Sequence, residues 1–526
     1  MHWARWGDPA LAKPLPDAVR KLVMGALGVS GEPTLAVEME DVRLPEGTLP
    51  AEFASAVEAL LDPEYVRTDH ETRVRHTRGK STPDLLKIRS GDGADAPDSV
   101  LLPGNHDEVQ SLIGLCAKHR VAAIPFGGGT SVVGGLAASR DDFAGVVAVD
   151  LSRLDKLIGV DPISQTAELE AGLLGPAAEV LLAEHGFTIG HFPQSFEYAS
   201  IGGFAAARSS GQASAGYGRF DSLVVGVKVA TPIGTLELGS APANAAGPDL
   251  REVVMGSEGA FGVITSVTVR VRPVPETRVY EAWRFGSFVE GATALRILAQ
   301  GGPTPTILRL SDEAETFVGL AKKPNEVGAA DASGCLMITG YEDTAEHVAS
   351  TRAAVTEILG GLGGTVLGEE GGASWASGRF HGPYLRDSLL DVGVLAETLE
   401  TATFWSNMTA LYDGVRNAVT ESLTAKGTPP IVLCHISHVY TTGVSLYFTV
   451  VAKQTEDPLT QWLEAKSAAS TAMTDMGATI THHHAVGRDH KPWLKKEIGP
   501  VGVEILRAIK ERIDPAGILN PGVLIP

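Results

Sequence analysis

Three histidines stand in succession near the C-terminus, His482, His483 and His484 in "ATITHHHAVGRDHKPWLKK". Imidazoles ligate metals, take protons near neutral pH and donate hydrogen bonds to phosphate. The triplet alone leaves all three tasks open. A second chemical signal lies in "VAAIPFGGGTSVVGGL", where a strand pattern runs into Gly127, Gly128 and Gly129, then Thr130 and Ser131. Consecutive glycines let backbone N–H groups approach a phosphate closely, and two hydroxyls add donors. A plain surface turn would explain a lone triple glycine equally well. The sequence has no GxxxxGK[ST], and Val132 breaks the GxGxxG spacing, which excludes a P-loop and a Rossmann fingerprint. Two more glycine clusters follow, "HFPQSFEYASIGGFAAARSSGQASAGYG" and "VVMGSEGAFGVITSVTV".

The elements that must position these residues are legible in outline. A chain of 526 residues with 44% apolar content buries more than one core. Segments "PLPDAVRKLVMGAL" and "PAEFASAVEALL" have helical apolar spacing within a largely helical, irregular region over 1–95. An α+β domain is expected over 96–275. It holds a strand in "DSVLLP", a helix in "NHDEVQSLIGLCAKH" capped by Asn105 with Glu108 three residues on, strands in "VAAIPF" and "FAGVVAVDL", and a hairpin turning at Pro232 to Gly234. A second α+β unit spans 276–480, with "AETLETATFWSNMTALYDGVRNAVTESL" read as a strand edge and a long helix. Residues 481–526 form a C-terminal segment whose helix stops at Asp514-Pro515.

Charge and cysteine content narrow the class. Lys and Arg number 43 against 63 Asp and Glu, a net charge of −20, which argues against binding nucleic acid or anionic lipid non-specifically. Three isolated cysteines without a CxxC pair predict neither a disulfide framework nor a thiolate zinc site. No apolar signal core or membrane-length run is present, so a cytoplasmic protein is expected.

The three glycine clusters in this order, P-x-GGG-T-S, then P-x-S-x(5)-IGG-x(4)-R-x-SG, then GSEG-x-x-G-V-I-T, resemble the flavin-binding domain of the vanillyl-alcohol oxidase family. The resemblance implies an α+β fold, a PCMH-type (vanillyl-alcohol oxidase-like) FAD-binding domain with an α+β cap of ferredoxin-like type. It implies FAD held by Pro125, Gly127, Gly128, Gly129, Thr130 and Ser131 in the first loop. Pro193, Ser195, Ser200, Gly202, Gly203, Arg208 and Ser209 would serve in the second. Glu258, Gly259, Gly262, Val263 and Ile264 would serve in the third. Some relatives attach flavin through a His after the triple glycine. Thr130 stands there, so non-covalent FAD is expected.

Two branches of that family suit the length. The D-2-hydroxy-acid dehydrogenases carry H-x-GDGN-x-H and E-H-G motifs that hold a metal in some members. Here "CHISHVYTTGVSLYF" lacks the GDGN turn, and no Glu precedes the triplet. No metal is therefore expected, although His435, His438 and the triplet would make a nitrogen-rich alternative. The alkyl-dihydroxyacetonephosphate synthases match better, in "WARWGDP", "ILRLSD", "PYLRD", "TTGVSLYF" and "THHHAVG". By that resemblance Tyr447 handles a proton at the reacting centre. His483 is needed for activity and is flanked by His482 and His484, while Arg386 and Arg309 line the site, with Arg and His binding phosphate. The implied reaction exchanges the acyl group of a lipid-like ketone phosphate for a long-chain alcohol, through a flavin N5 adduct and without net oxidation. This is a step of ether lipid synthesis.

An FAD-linked oxidase or dehydrogenase acting on a hydroxy acid or alcohol is the second reading, and a flavin- or lipid-binding protein without turnover is the third. Arg309 could instead pair with Asp312 or Glu313, Arg386 with Asp387, and Tyr447 could be a core residue. His435, His438 and His490 are assigned to packing, Cys434 to a small buried role, and Lys495 and Lys496 to a solvated helix face. Ala485 stands where the synthases usually have glycine, and "DPAGILNPGVL" looks more like the dehydrogenase branch. No peroxisomal address is seen. A lipid substrate suggests peripheral membrane contact, and a homodimer is the expected assembly.

Overall fold

The computed structural model describes residues 1–12, 17–30, 33–140, 142–321 and 333–526. The first expected helix is found as Asp17–Leu27, and the Pro14–Pro16 start of its quoted segment lies outside the described residues.

Two sheets build the first half. A four-stranded sheet takes the order Val66–Arg67, Ser99–Leu101, Gly145–Asp150, Val121–Phe126, with the last three mutually parallel. Its strands "VAAIPF" and "GVVAVD" are apolar almost throughout because both faces are covered. The helix His106–His119 lies against it, with Asn105 Oδ1 accepting from Glu108 N at 3.0 Å. Glu108 reaches back to Gly104 N (2.7 Å), one residue beyond a standard capping box. A five-stranded antiparallel sheet follows, including the hairpin Val224–Thr231 and Gly234–Leu238. One core joins both sheets and draws in Phe53 and Val57 from the helix Ala51–Leu60, and Ile518 and Leu519 from the C-terminal segment.

The second half is a seven-stranded antiparallel sheet. Its order is Thr365–Gly368, Thr277–Phe285, Cys335–Asp343, Ile307–Ser311, Ile431–Ile436, Gly443–Lys453, Val394–Phe404. The helices Phe288–Gly301, Ala345–Gly361, Met408–Ala425 and Pro458–Asp475 pack their apolar faces into its core. The expected strand and long helix are found as Val394–Phe404, at the edge of the sheet, and Met408–Ala425. The final helix runs Lys491–Ile513 and kinks at Gly499 (φ 73°) ahead of Pro500. Lys495 and Lys496 are exposed on it, and Cys434 is fully buried.

Candidate active site

A cavity of about 880 Å³ lies where the glycine loops, one face of the seven-stranded sheet and the histidine loop meet. Gly127, Gly128, Gly129, Thr130 and Ser131 line it directly after the strand Val121–Phe126. Their five N–H groups have no acceptor among the described residues. Five unmatched donors on one wall form an anion cradle suited to a diphosphate.

The glycines also allow the loops to touch. A methyl on Gly128 would overlap the Tyr198 carbonyl, one on Gly127 would meet Ser200 Oγ, and one on Gly259 would come within 2.7 Å of Pro125. The second loop adds Pro193, Ser195, Ser200, Gly202, Gly203 and Ser209 to the cavity wall. Ser200 caps the helix Ile201–Ala207 through Gly203 N (3.2 Å). The third adds Glu258, Gly259, Gly262 and Ile264, and Pro125 completes the wall. These residues fit the FAD pyrophosphate and ring.

Two expected cofactor residues do not face the cavity. Arg208 turns away from it, with Nε on Met255 O (3.1 Å) and ion pairs to Glu252 (2.6 Å) and Asp221 (3.4 Å). It ties the second loop to the start of the third. Val263 opens the strand Val263–Arg270 and packs into the sheet core, since strand alternation sends the next side chain, Ile264, to the cavity.

Opposite the loops, Tyr447, His483 and His484 line the wall. The Tyr447 ring is sandwiched between stacked rings, His435 at 4.7 Å and His483 at 6.0 Å. Burial pushes its phenol up to about 12, so it keeps its proton at neutral pH. Burial also lowers His483, and His484 to about 3, leaving neutral imidazoles. His482 lies behind them. Its Nε2 meets Tyr440 OH at 2.5 Å and its Nδ1 meets His483 Nδ1 at 2.9 Å, so it supports the wall without lining it.

The carboxylate missing ahead of the triplet comes from another strand. Glu400, on Val394–Phe404, accepts from the N–H groups of His482 (2.6 Å), His483 (3.1 Å) and His484 (2.9 Å), and from the Thr481 hydroxyl. Burial alone would raise this carboxyl. The surrounding histidines and the Thr481 hydroxyl outweigh burial and hold it well below the usual carboxylate range. Glu258 does the same for the next turn, accepting from Val486 N (3.1 Å) and Gly487 N (2.7 Å) through one oxygen. Burial pushes it up to about 7. Between these anchors Ala485 takes φ 72°, a left-handed conformation that glycine adopts without strain.

The expected arginines are paired. Arg309 meets Glu315 at 2.6 Å, and not Asp312 or Glu313; Asp312 holds Arg416 instead. Arg386 meets Asp387 at 3.1 Å and donates to Lys80 O. Both line the cavity. Sequence reasoning passed over a third arginine. Arg379 lies among Phe192 (5.0 Å), Phe380 (4.9 Å) and Trp375 (6.0 Å), has no carboxylate partner among the described residues, and keeps a buried NH1 without an acceptor. The neighbouring "GASWASGRF", an Arg among aromatics after a Gly, was the available signal.

His435, assigned to packing from sequence, is a cavity residue and accordingly a correction. His438 does lie behind the wall, with its Nδ1 on Ser214 Oγ (2.6 Å) and Ser210 Oγ (3.1 Å). His438, His482 and His483 have ligand nitrogens within 4.8 Å of one another, the spacing of a metal trio. Within the trio, His438 Nδ1 meets two serine hydroxyls, and His482 meets the Tyr440 hydroxyl and His483 Nδ1. His490 is buried on Ala485 O (2.9 Å), a packing role.

The fold and site define an FAD-dependent enzyme. A family model described as FAD binding domain matches residues 97–239, and one described as FAD linked oxidases, C-terminal domain, matches residues 274–524. The chain is 33% identical to an alkyldihydroxyacetonephosphate synthase of Dictyostelium discoideum, over 94% of this chain and 84% of that protein. It is 31% identical to the synthase of Trypanosoma brucei brucei, over 100% and 92%. A solved alkyldihydroxyacetonephosphate synthase structure superposes with a TM-score of 0.87 at 31% identity, covering 100% of this chain and 99% of that one. The chain belongs to the alkyldihydroxyacetonephosphate synthase family. Its cofactor is FAD, and its fold is the PCMH-type one expected from the glycine clusters. Among the described residues no helix is long and apolar enough to cross a membrane.

Proposed function

We propose that the protein exchanges the acyl group of an acyl-dihydroxyacetonephosphate for a long-chain alcohol. The observation that carries this reading is the two-ended cavity. One end presents Arg379, a cavity-lining guanidinium with no carboxylate partner among the described residues, suited to a phosphate dianion. Elsewhere the wall is apolar, built from Val23, Leu389, Ala396, Ile431 and Val451, suited to an alkyl chain. A hydroxy acid would need the cation and not the apolar wall.

FAD, when bound, would supply a reactive ring nitrogen, N5; Thr130 in place of a histidine supports a non-covalent attachment. The chain's own residues do the rest. Neutral His483 accepts a proton beside the ketone, and Tyr447, still protonated at neutral pH, returns one. His484 lines the wall next to them, and His482 holds His483 in place. Arg386, anchored to Asp387 and Lys80, and Arg309 shape the wall near the phosphate. Glycine loops and the histidine loop exclude water from the reacting carbon.

The test is incorporation of labelled long-chain alcohol into the ketone phosphate with no electron acceptor present. Incorporation that stops after His483→Ala while FAD stays bound supports the reading. Anaerobic bleaching of the flavin by a 2-hydroxy acid, with no alcohol incorporation, would replace it by an oxidoreductase.

A further inference from the structure

The cavity wall contains a second imidazole with its own carboxylate. His435 lies in the strand Ile431–Ile436, in register with Tyr447 on one neighbour and Ser311 on the other. Its Nδ1 is 3.0 Å from Glu315 Oε2, and Arg309 occupies the other oxygen of Glu315 at 2.6 Å. Burial by itself would raise the Glu315 carboxyl. His435 and Arg309 overcome that and hold it ionised. An ionised carboxylate only accepts, so His435 Nδ1 carries the proton and Nε2 carries the lone pair. That Nε2 has no partner among the described residues, is not sealed in the interior, and belongs to a cavity-lining side chain. Burying an Arg–Glu–His row in the cavity wall costs desolvation, and the imidazole nitrogen at its end is the group of that row left to act.

We propose that His435, oriented by Glu315, is a further catalytic residue that takes the hydroxyl proton of the incoming alcohol. This rests on the exchange reading above. In the step, the alcohol O–H bond breaks and its proton moves to His435 Nε2. The oxygen forms a bond to C1 of the ketone phosphate. The acyl C1–O bond has broken with its electron pair leaving on the carboxylate. Nothing is oxidised or reduced, and the proton passes to solvent. His483 and Tyr447 serve the carbon, and His435, on the far face of the Tyr447 ring, serves the oxygen. The division has a chemical reason, since a carboxylate enters or leaves without a proton whereas an alcohol must lose one.

Two exchanges on the FAD-loaded protein separate the roles. One is incorporation of labelled long-chain alcohol. The other is exchange of labelled long-chain carboxylate into the acyl ketone phosphate, which involves no hydroxyl proton. His435→Gln is expected to slow alcohol incorporation by about 100-fold or more and to leave carboxylate exchange within a few-fold. Equal loss in both, or loss in neither, overturns the assignment.

In Glu315→Gln the acid limb of the alcohol rate profile should move to lower pH, because the carboxylate supports the protonated imidazole against Arg309, His483 and burial. A limb that stays in place or moves to higher pH counts against the dyad. Tyr447, the remaining group packed on the ring, keeps its proton throughout. Nitrogen-15 NMR of the histidines tests the dyad without turnover: His435 should be the Nδ1–H tautomer, and an Nε2–H tautomer refutes it. If the unmodified enzyme performs neither exchange, the exchange reading fails along with the alcohol's part, while the tautomer still decides the Glu315–His435 pair.

Discussion

Replacing Glu400 by glutamine should loosen the histidine loop by an amount the geometry sets. Oε1 receives His483 N, His484 N and the Thr481 hydroxyl, and Oε2 receives His482 N. The amide keeps three of these if its oxygen takes the Oε1 position, and then aims NH₂ at the His482 N–H. That forfeits one bond to a charged acceptor and strands a buried donor, about 2 kcal/mol. The three retained bonds pass from a charged to a neutral acceptor and lose about half their strength each. Relief from burying a charge returns part, so the net loss is about 2–4 kcal/mol.

Alanine would strand all three N–H groups and remove much of a typical 5–15 kcal/mol margin, so roughly no folded protein is expected. Urea unfolding of the FAD-loaded proteins measures the total, and amide exchange at residues 482–484 reads the loop itself. The folded Glu400 titrates below its ordinary 4.5, so its contribution is present above that pH and lost as pH falls below it; the gap between the two proteins should narrow there. A Glu400→Gln protein as stable as its parent at pH 7, with these amides equally protected, would show that the carboxylate does not hold the loop.

Four other outcomes are expected. Glu258 is raised from 4.5 to about 7, so its favourable neutral form is lost as pH rises between those values, about 3 kcal/mol in all. Both loop N–H groups use one of its oxygens, which glutamine keeps, so Glu258→Gln should gain on the parent from pH 5 to pH 8 in denaturant midpoints; a constant difference contradicts the shift. Gly128→Ala should purify without visible flavin absorbance, because the added methyl meets the Tyr198 carbonyl, and a yellow protein would mean that the loops yield. Ala485→Gly should raise stability by up to about 1 kcal/mol by relieving its left-handed backbone, a gain that thermal unfolding would detect and a loss would disprove. Arg379→Ala should lower kcat/KM for the ketone phosphate by about 30-fold or more, chiefly through KM, and an unchanged KM would move the phosphate elsewhere.

The flavin loops were legible because their constraint is local: a backbone that must approach a phosphate or another loop writes itself as glycine at fixed offsets. The same holds for the helix cap at Asn105. Arg208 and Val263 show the limit of a motif, which records that a residue is needed but not whether it faces the cofactor or braces the loop. Glu400, Glu315 and His435 were hidden because their partners lie 82, 120 and 120 positions away and are brought to the strands by a loop and a helix that pack on the sheet. Signals existed in retrospect. Glutamates in the apolar strand "VLAETLETATF" and a histidine in "IVLCHI" are charges or polar rings a buried strand would not carry without partners.

The strand that ends in the triple glycine is paired on its outer side by residues nearly four hundred positions later. Ala123 N donates to Ile518 O (2.8 Å) and Asn520 N donates back to Ala123 O (2.9 Å), while the Asn520 amide reaches Gly135 O and Glu258 O. During synthesis, then, the apolar edge "VAAIPF" leaves the ribosome long before its cover exists. The nascent chain must either wait with that edge exposed or have it sheltered by a chaperone. A ribosome stalled before residue 518 would therefore hold a chain whose triple-glycine strand lacks its outer pairing.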